Sequence, residues 1–259
     1  MSGTPANGLS FALLGSGEFE PWTEDVDRWL LGRATGDGTV LILPAASAPE
    51  GDAVFDRWAE MGLLHYTRLG VPAEVVPLKT GADAERPELS AKLATASMAY
   101  FSGGNPAYLA GVLGGSRFWK ELLAAVQRGM AFTGCSAGIA CLGELAVDSA
   151  AHMRGDPDIW KAGLRLFPNL QFGPHWDALD KYVPGLQAMF IAAVPPDRGL
   201  LAIDEYTAVV GDGRDWRVMG AGGAQLRQDG AWRTFRSGQS FTEALDISLD
   251  AAPAPGLKT

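Results

Sequence analysis

Six consecutive residues, Thr133-Gly134-Cys135-Ser136-Ala137-Gly138, place a hydroxyl where it could attack an acyl carbon. The pattern is Gly-x-Ser-x-Gly, and an apolar run at 131–133 precedes it. It reads as a short buried strand, a tight turn with serine at its apex, and the start of a helix. Glycines on both sides lack a Cβ, so strand and helix can approach closely. The helix start aims free N–H groups and a positive dipole end at the same place. The N–H of Ala137 would then face the oxygen that becomes negative during attack.

A serine hydroxyl needs a base to take its proton and a group to hold that base. The chain has three histidines. His65 falls inside a helical stretch, away from the sheet edge, and reads as a surface or half-buried residue. His152 lies in a loose polar segment without rigid support. His175 follows an apolar run, which puts it at a strand end, and it is the candidate base. The orienting acid is open among Glu144, Asp148, Asp177, Asp204 and Glu205. Neighbouring carboxylates on an extended segment point opposite ways, so only one of Asp204 and Glu205 could face the site. A long stretch follows His175, which disfavours the α/β-hydrolase order, in which the histidine comes last. That leaves an esterase of that type as a lesser alternative, beside a binding domain without turnover. The two cysteines, Cys135 and Cys141, have neither zinc nor Cys-x-x-Cys spacing and read as small buried residues.

These groups need a scaffold, and the chain supplies alternating apolar runs and helical patterns. Strands are expected at 9–15, 39–43, 73–78 and 98–101, followed by the strand that enters the serine turn. Helices are expected at 21–34, 52–69, 86–96, 108–113 and 118–128. Continuously apolar strands alternating with helices specify a parallel sheet covered on both faces. Ligands on such sheets sit beyond the carboxyl ends of the strands. The loops at 15–18, 44–50, 102–106 and 134–138 share that edge. Gly15-Ser16-Gly17 resembles a phosphate cradle, but Glu20 stands where the third glycine of the dinucleotide fingerprint belongs. Residues 147–162 read as a flexible flap, and 182–193 as a helix. The short segments at 200–203, 207–210, 216–220, 224–227 and 232–235 read as an antiparallel extension of the sheet. One domain over 1–250 and a disordered tail over 251–259 are expected.

Composition sets outer limits. The chain has 259 residues, 47% of them hydrophobic, and a formal net charge of −9. The acidic balance argues against nucleic acid and anionic membranes as partners. No apolar run reaches membrane-spanning length, and residues 1–8 lack a signal-peptide core. A cytoplasmic location is the expectation; a homodimer is allowed.

Four blocks together resemble the serine peptidase family that contains dipeptidase E and cyanophycinase. They are Leu13-Leu14-Gly15-Ser16-Gly17-Glu18, Phe101-Ser102-Gly103-Gly104-Asn105-Pro106, Thr133 to Gly138, and the run from Gly199 to Ala208. The resemblance implies a flavodoxin-like three-layer α/β sandwich with a mostly parallel sheet, similar to class I glutamine amidotransferases. It also implies Ser136 as nucleophile, His175 as base and Glu205 as the acid of the cyanophycinase branch. The dipeptidase E branch would instead use Asp148 or Asp156. Gly104 resembles a second oxyanion donor beside Ala137, and Asn105 a substrate-facing polar residue. No metal or cofactor is implied, and the substrate would be a small peptide or isopeptide. Cyanophycinases follow the histidine with several arginines, which grip a β-aspartyl-arginine unit. Here the run is Trp176-Asp177-Ala178-Leu179-Asp180-Lys181, and one lysine does not replace them. Trp176 suggests a more apolar or stacking neighbour for the substrate.

Overall fold

Four-residue runs such as Val40-Leu41-Ile42-Leu43 leave no polar side to present to water, so both faces must be covered. In the computed structural model, which describes residues 8–250, five strands, most of them such buried apolar runs, form the parallel core of an eight-stranded sheet. They are β1 (Phe11–Leu14), β2 (Val40–Leu43), β3 (Ala73–Val75), β4 (Met98–Phe101) and β5 (Ala131–Cys135). Their spatial order is β1-β5-β4-β2-β3, with all four pairings parallel.

Side chains alternate across each strand, so one run feeds two cores. On β1, Phe11 and Leu13 join Leu41, Phe101 and Phe132 under the helices Pro106–Leu113 and Arg117–Gln127. Ala12 and Leu14 join Ile42 and Tyr100 under the helices Glu24–Leu31 and Asp52–Leu69. The result is the expected three-layer sandwich. Two of the outer helices begin at side-chain caps. Asn105 accepts from the Tyr108 N–H ahead of Pro106, and Ser116 accepts from the Trp119 N–H.

The second half is built from β6 (Leu145–Val147), β7 (Trp160–Ala162), β8 (Leu170–Gly173), β9 (Gly199–Ile203), β10 (Thr207–Gly211), β11 (Asp215–Gly220), β12 (Gly223–Gln228), β13 (Ala231–Arg236) and β14 (Ser240–Thr242). Strands β10 and β11 extend the central sheet antiparallel beyond β1, as expected, and β14, which was not expected, adds a further antiparallel strand at its edge. The others do not. β13-β12-β9-β8 is a separate four-stranded sheet in which β8 and β9 run parallel. The segments at 200–203, 224–227 and 232–235 therefore belong to this second sheet. Turn residues set where a strand reverses, not which sheet it joins.

The region read as a flexible flap is ordered secondary structure. β6 and β7 pair antiparallel around the helix Ser149–Met153, whose first turn is capped by the Asp148 carboxylate accepting from the Ala151 N–H. His65 is not a surface residue. It is 1% exposed, and its Nε2 lies 2.7 Å from Asp27 Oδ2 on the neighbouring helix. The expected tail over 251–259 lies outside the described residues. No described helix is long and apolar enough to cross a membrane.

Candidate active site

β5 delivers Ser136 to the carboxyl edge of the central sheet. The residue sits at φ 51°, ψ −109°, a backbone state that costs an L-residue roughly 1–3 kcal/mol and persists only when its surroundings enforce it. Three features enforce it. The Ser136 N–H donates to the Leu14 carbonyl of β1 at 3.0 Å. A Cβ on Gly134 would collide with the Gly138 carbonyl, and one on Gly138 with the Phe101 carbonyl. Strand and helix thus cross at a separation only glycine permits.

β8 delivers His175 to the same edge from the second sheet. Gln171, 4% exposed, fastens that strand to the segment after the serine helix. Its Oε1 accepts from the Leu145 N–H at 3.2 Å and its Nε2 donates to the Leu145 carbonyl at 2.7 Å. His175 itself has φ 54°, and the Trp176 N–H donates to the Ile203 carbonyl at the end of β9. The imidazole Nε2 lies 2.8 Å from Ser136 Oγ.

Glu205 completes the line. It sits on the turn through which the chain leaves β9 in the second sheet and enters β10 in the central one. Its Oε1 lies 3.1 Å from His175 Nδ1. The Tyr182 hydroxyl donates to that same oxygen at 2.7 Å, and the Glu205 N–H donates to Asp177 Oδ1 at 2.8 Å. The Glu205 carboxylate holds the Tyr182 phenol above its usual pKa, because it accepts that proton. Asp204 turns the other way and accepts from the Gly223 N–H at 2.9 Å. Burial, the largest influence, raises its carboxyl above the usual range.

The remaining acids lie elsewhere. Glu144 pairs with Arg165 and Arg198. Asp148 caps its helix and accepts from Asn105 Nδ2 at 2.9 Å; the N–H of Ala151 and then Asn105 hold its carboxyl below the usual range. Asp156 accepts from the Asp158 N–H. Cys135 is fully buried. Burial, then the charge of Glu18, pushes its thiol far up, which keeps it protonated beside the serine.

The two backbone N–H groups expected to act as donors have no protein acceptor among the described residues. One is Ala137, the first residue of its helix. The other is Gly104, at φ 140°, where a Cβ would collide with the Ala46 backbone. Its neighbour Gly103 lies against the serine: a Cβ there would stand 3.6 Å from Ser136 Cβ and 3.8 Å from Oγ.

The two expected substrate-facing residues part company. Asn105 lines a cleft of about 490 Å³ with Tyr108, Asp148 and Lys161, although its amide is already engaged at both ends. Trp176 is not at the surface of the site. It is 4% exposed and packs with Leu179, Phe190, Leu200 and Ala202 in the core beneath the second sheet. An aromatic next to the histidine was fixed by the β8–β9 core rather than offered to a ligand. Sequence reasoning missed Gln171, whose buried amide inside an apolar strand was the available signal. Tyr182, inside a stretch read only as helix, gave none.

Comparison with known proteins bears on the family and the fold. The model of peptidase family S51 matches residues 11–219. The crystal structure of a peptidase from an acI-B1 Actinobacterium superposes with a TM-score of 0.81 at 27% identity, covering 90% of this chain and 96% of that one. A Listeria monocytogenes protein assigned as a peptidase E superposes with a TM-score of 0.59 at 17% identity, covering 82% and 98%, and shares the fold. A search of curated proteins finds no match.

Proposed function

The chain belongs to peptidase family S51 and is a serine-type peptidase, and from that premise we propose that it cleaves small peptides or isopeptides through an acyl-enzyme on Ser136. His175 Nε2 takes the hydroxyl proton as Oγ forms a bond to the scissile carbonyl carbon. Glu205 accepts from Nδ1 and stabilises the imidazolium that results. The carbonyl oxygen, now negative, turns toward the N–H groups of Ala137 and Gly104. His175 then gives its proton to the departing nitrogen, and the C–N bond breaks. Water repeats the sequence on the ester, returning Ser136 to its starting state.

One observation carries this reading: hydroxyl, imidazole and carboxylate form a continuous line, with 2.8 Å and 3.1 Å between partners. In this reading part of the substrate occupies the cleft beside Asn105, which is supported by that residue directly following the proposed Gly104 donor. The segment after His175 carries no arginine between Trp176 and Lys181, so a substrate gripped by several guanidinium groups there does not fit.

The test is labelling with a fluorescent fluorophosphonate, which reacts with activated serines. Wild type should label stoichiometrically and Ser136→Ala should not. Equal labelling of the two, or none of wild type, would remove Ser136 as nucleophile.

A further inference from the structure

The glycine loop 15–18 carries a side chain that the reaction sequence above leaves unused. Glu18 is 5% exposed. Its Oε1 accepts from the Gly103 N–H at 2.7 Å, and its Oε2 lies 2.9 Å from the Cys135 sulfur, whose thiol donates. The backbone is bent on both sides of it: Gly17 has φ 73° and Phe19 has φ 63°. The second value is unusual for a bulky residue. Phe19 is held by the core, with its ring centroid 4.6 Å from that of Tyr100. The loop therefore turns one carboxylate inward, beneath the segment that precedes Gly104.

That segment is tied down at two alternate amides. The Gly103 N–H goes to Glu18, and the Asn105 N–H goes to the Ala46 carbonyl at 2.8 Å. The Gly104 N–H, between them, is the one without a protein acceptor. Peptide planes linked through single Cα atoms have only two soft dihedrals each. Fixing the amides on either side thus sets the direction of the one between.

We propose that Glu18 is a positioning residue for the oxyanion site, holding the 103–105 loop so that the Gly104 N–H points at the oxygen of the substrate attacked by Ser136. This rests on the reading of Ser136 and Gly104 given above. Glu18 touches no reacting atom. Its effect is confined to the state in which negative charge develops, since an N–H aimed at the oxyanion contributes more there than to the uncharged carbonyl.

Three substitutions separate this role from charge and from simple support of the fold. In Glu18→Gln the amide oxygen still accepts from the Gly103 N–H. Glu18→Asp keeps the charge but withdraws the acceptor by one methylene. In Glu18→Ala the acceptor is lost. Each is measured by its fluorophosphonate rate constant, resolved into a maximal rate and a half-saturating concentration, with thermal melting alongside. Removing one oxyanion donor outright costs about 10²–10³-fold, so misaiming it should cost on the order of 10–100-fold. Glu18→Ala and Glu18→Asp are expected to lose that much in maximal rate with half-saturation within about threefold. Glu18→Gln should recover to within about fivefold of wild type. Should Glu18→Ala fail to fold, the Gln–Asp pair decides alone. A slow Gln variant beside a fast Asp variant would show that charge matters and overturn the proposal, as would all variants labelling at the wild-type rate or losing only half-saturation. Loss of rate in step with melting temperature would reduce Glu18 to fold support. If wild type labels no better than Ser136→Ala, the nucleophile reading itself fails, and that is a different result from any of these.

Discussion

Replacing Glu205 by glutamine removes a charge from the imidazole while keeping the shape of the side chain. To act as a base the His175 ring must accept a proton at Nε2, and before attack the carboxylate serves chiefly to fix its tautomer. In the transition state the ring is positive, and the two charges then face one another across 3.1 Å. Coulomb attraction at that distance is about 5 kcal/mol at an effective dielectric constant of 20 and about 1.3 kcal/mol in bulk water. The side chains of His175 and Glu205 are 28% and 21% exposed, so the real value lies between these bounds. At roughly 1.4 kcal/mol per decade, Glu205→Gln should slow acylation on the order of 10²–10³-fold. Binding should hardly change, because the ground state lacks the imidazolium. The assay is the second-order rate of fluorophosphonate labelling, with Asp204→Asn as comparison. Asp204 bonds to Gly223, away from the imidazole, so its substitution should stay within about threefold of wild type. A Glu205→Gln rate within twofold of wild type, or an equal loss in the Asp204 variant, would refute the assignment of the acid.

Tyr182→Phe removes the phenol that holds the oxygen shared with His175. The tyrosine is exposed, which keeps this hydrogen bond to the carboxylate near about 1 kcal/mol, so labelling should slow roughly fivefold, and an unchanged rate would make the contact incidental. Gly138→Ala drives a methyl into the Phe101 carbonyl. Overpacking of this kind costs about 1–3 kcal/mol, which calorimetry should register as a melting temperature lower by roughly 3–10 °C; no change would mean the serine turn is looser than its geometry indicates. Asp148 has its carboxyl held below the ordinary 3.8, so the unfolded chain binds the proton first as pH falls. Its contribution is full above the unfolded value and is lost as pH drops through the folded one. Asp148→Asn keeps a cap but not the titration. Between pH 5 and pH 3 its melting temperature should therefore fall less than that of wild type, and parallel curves would contradict the sign.

What could be read from the chain depended on whether a signal was local. The serine turn is local: five residues specify strand, bend and helix, and β5 ends where the pattern places it. The apolar runs of β1, β2 and β4 likewise announce a sheet covered on both faces. His175 was found because it follows one such run. The acid was not chosen from the residues alone: five carboxylates stayed open, and alternation says that Asp204 and Glu205 diverge without saying which one meets the imidazole; only the family resemblance singled out Glu205. The second sheet was not legible, because β9 and β12 look like any hairpin-forming strands and their partners are settled by what else needs covering. His65 was misread for a similar reason. Its partner Asp27 is 38 residues away on another helix, and nothing near His65 in the chain announces a buried carboxylate. Glu18 was hidden by its neighbours, since a glycine loop after a first strand directs attention to ligands rather than to the next side chain.

The order of the three groups along the chain, serine then histidine then glutamate, follows from how the two sheets are joined. Ser136 belongs wholly to the central sheet and His175 wholly to the second. Their 2.8 Å approach therefore requires the carboxyl ends of β5 and β8 to face each other across the seam. The chain crosses that seam just before β10, at Asp204, Glu205 and Tyr206, and the crossing is tied on both banks. On one side the Asp204 N–H donates to the Gly223 carbonyl, and on the other the Gly15 N–H donates to the Thr207 carbonyl and the Tyr206 N–H to Ser16 Oγ. A carboxylate placed there is held relative to serine and histidine together, which no residue inside either sheet could achieve. The oxyanion donors obey a different logic. The proposed donors, Ala137 and Gly104, both follow strands of the central sheet, and Glu18 reaches the nearby Gly103 N–H and Cys135 thiol from a third loop of that same sheet. On the proposed reading, proton transfer depends on how the two sheets dock, whereas stabilisation of the oxyanion depends on the central sheet alone.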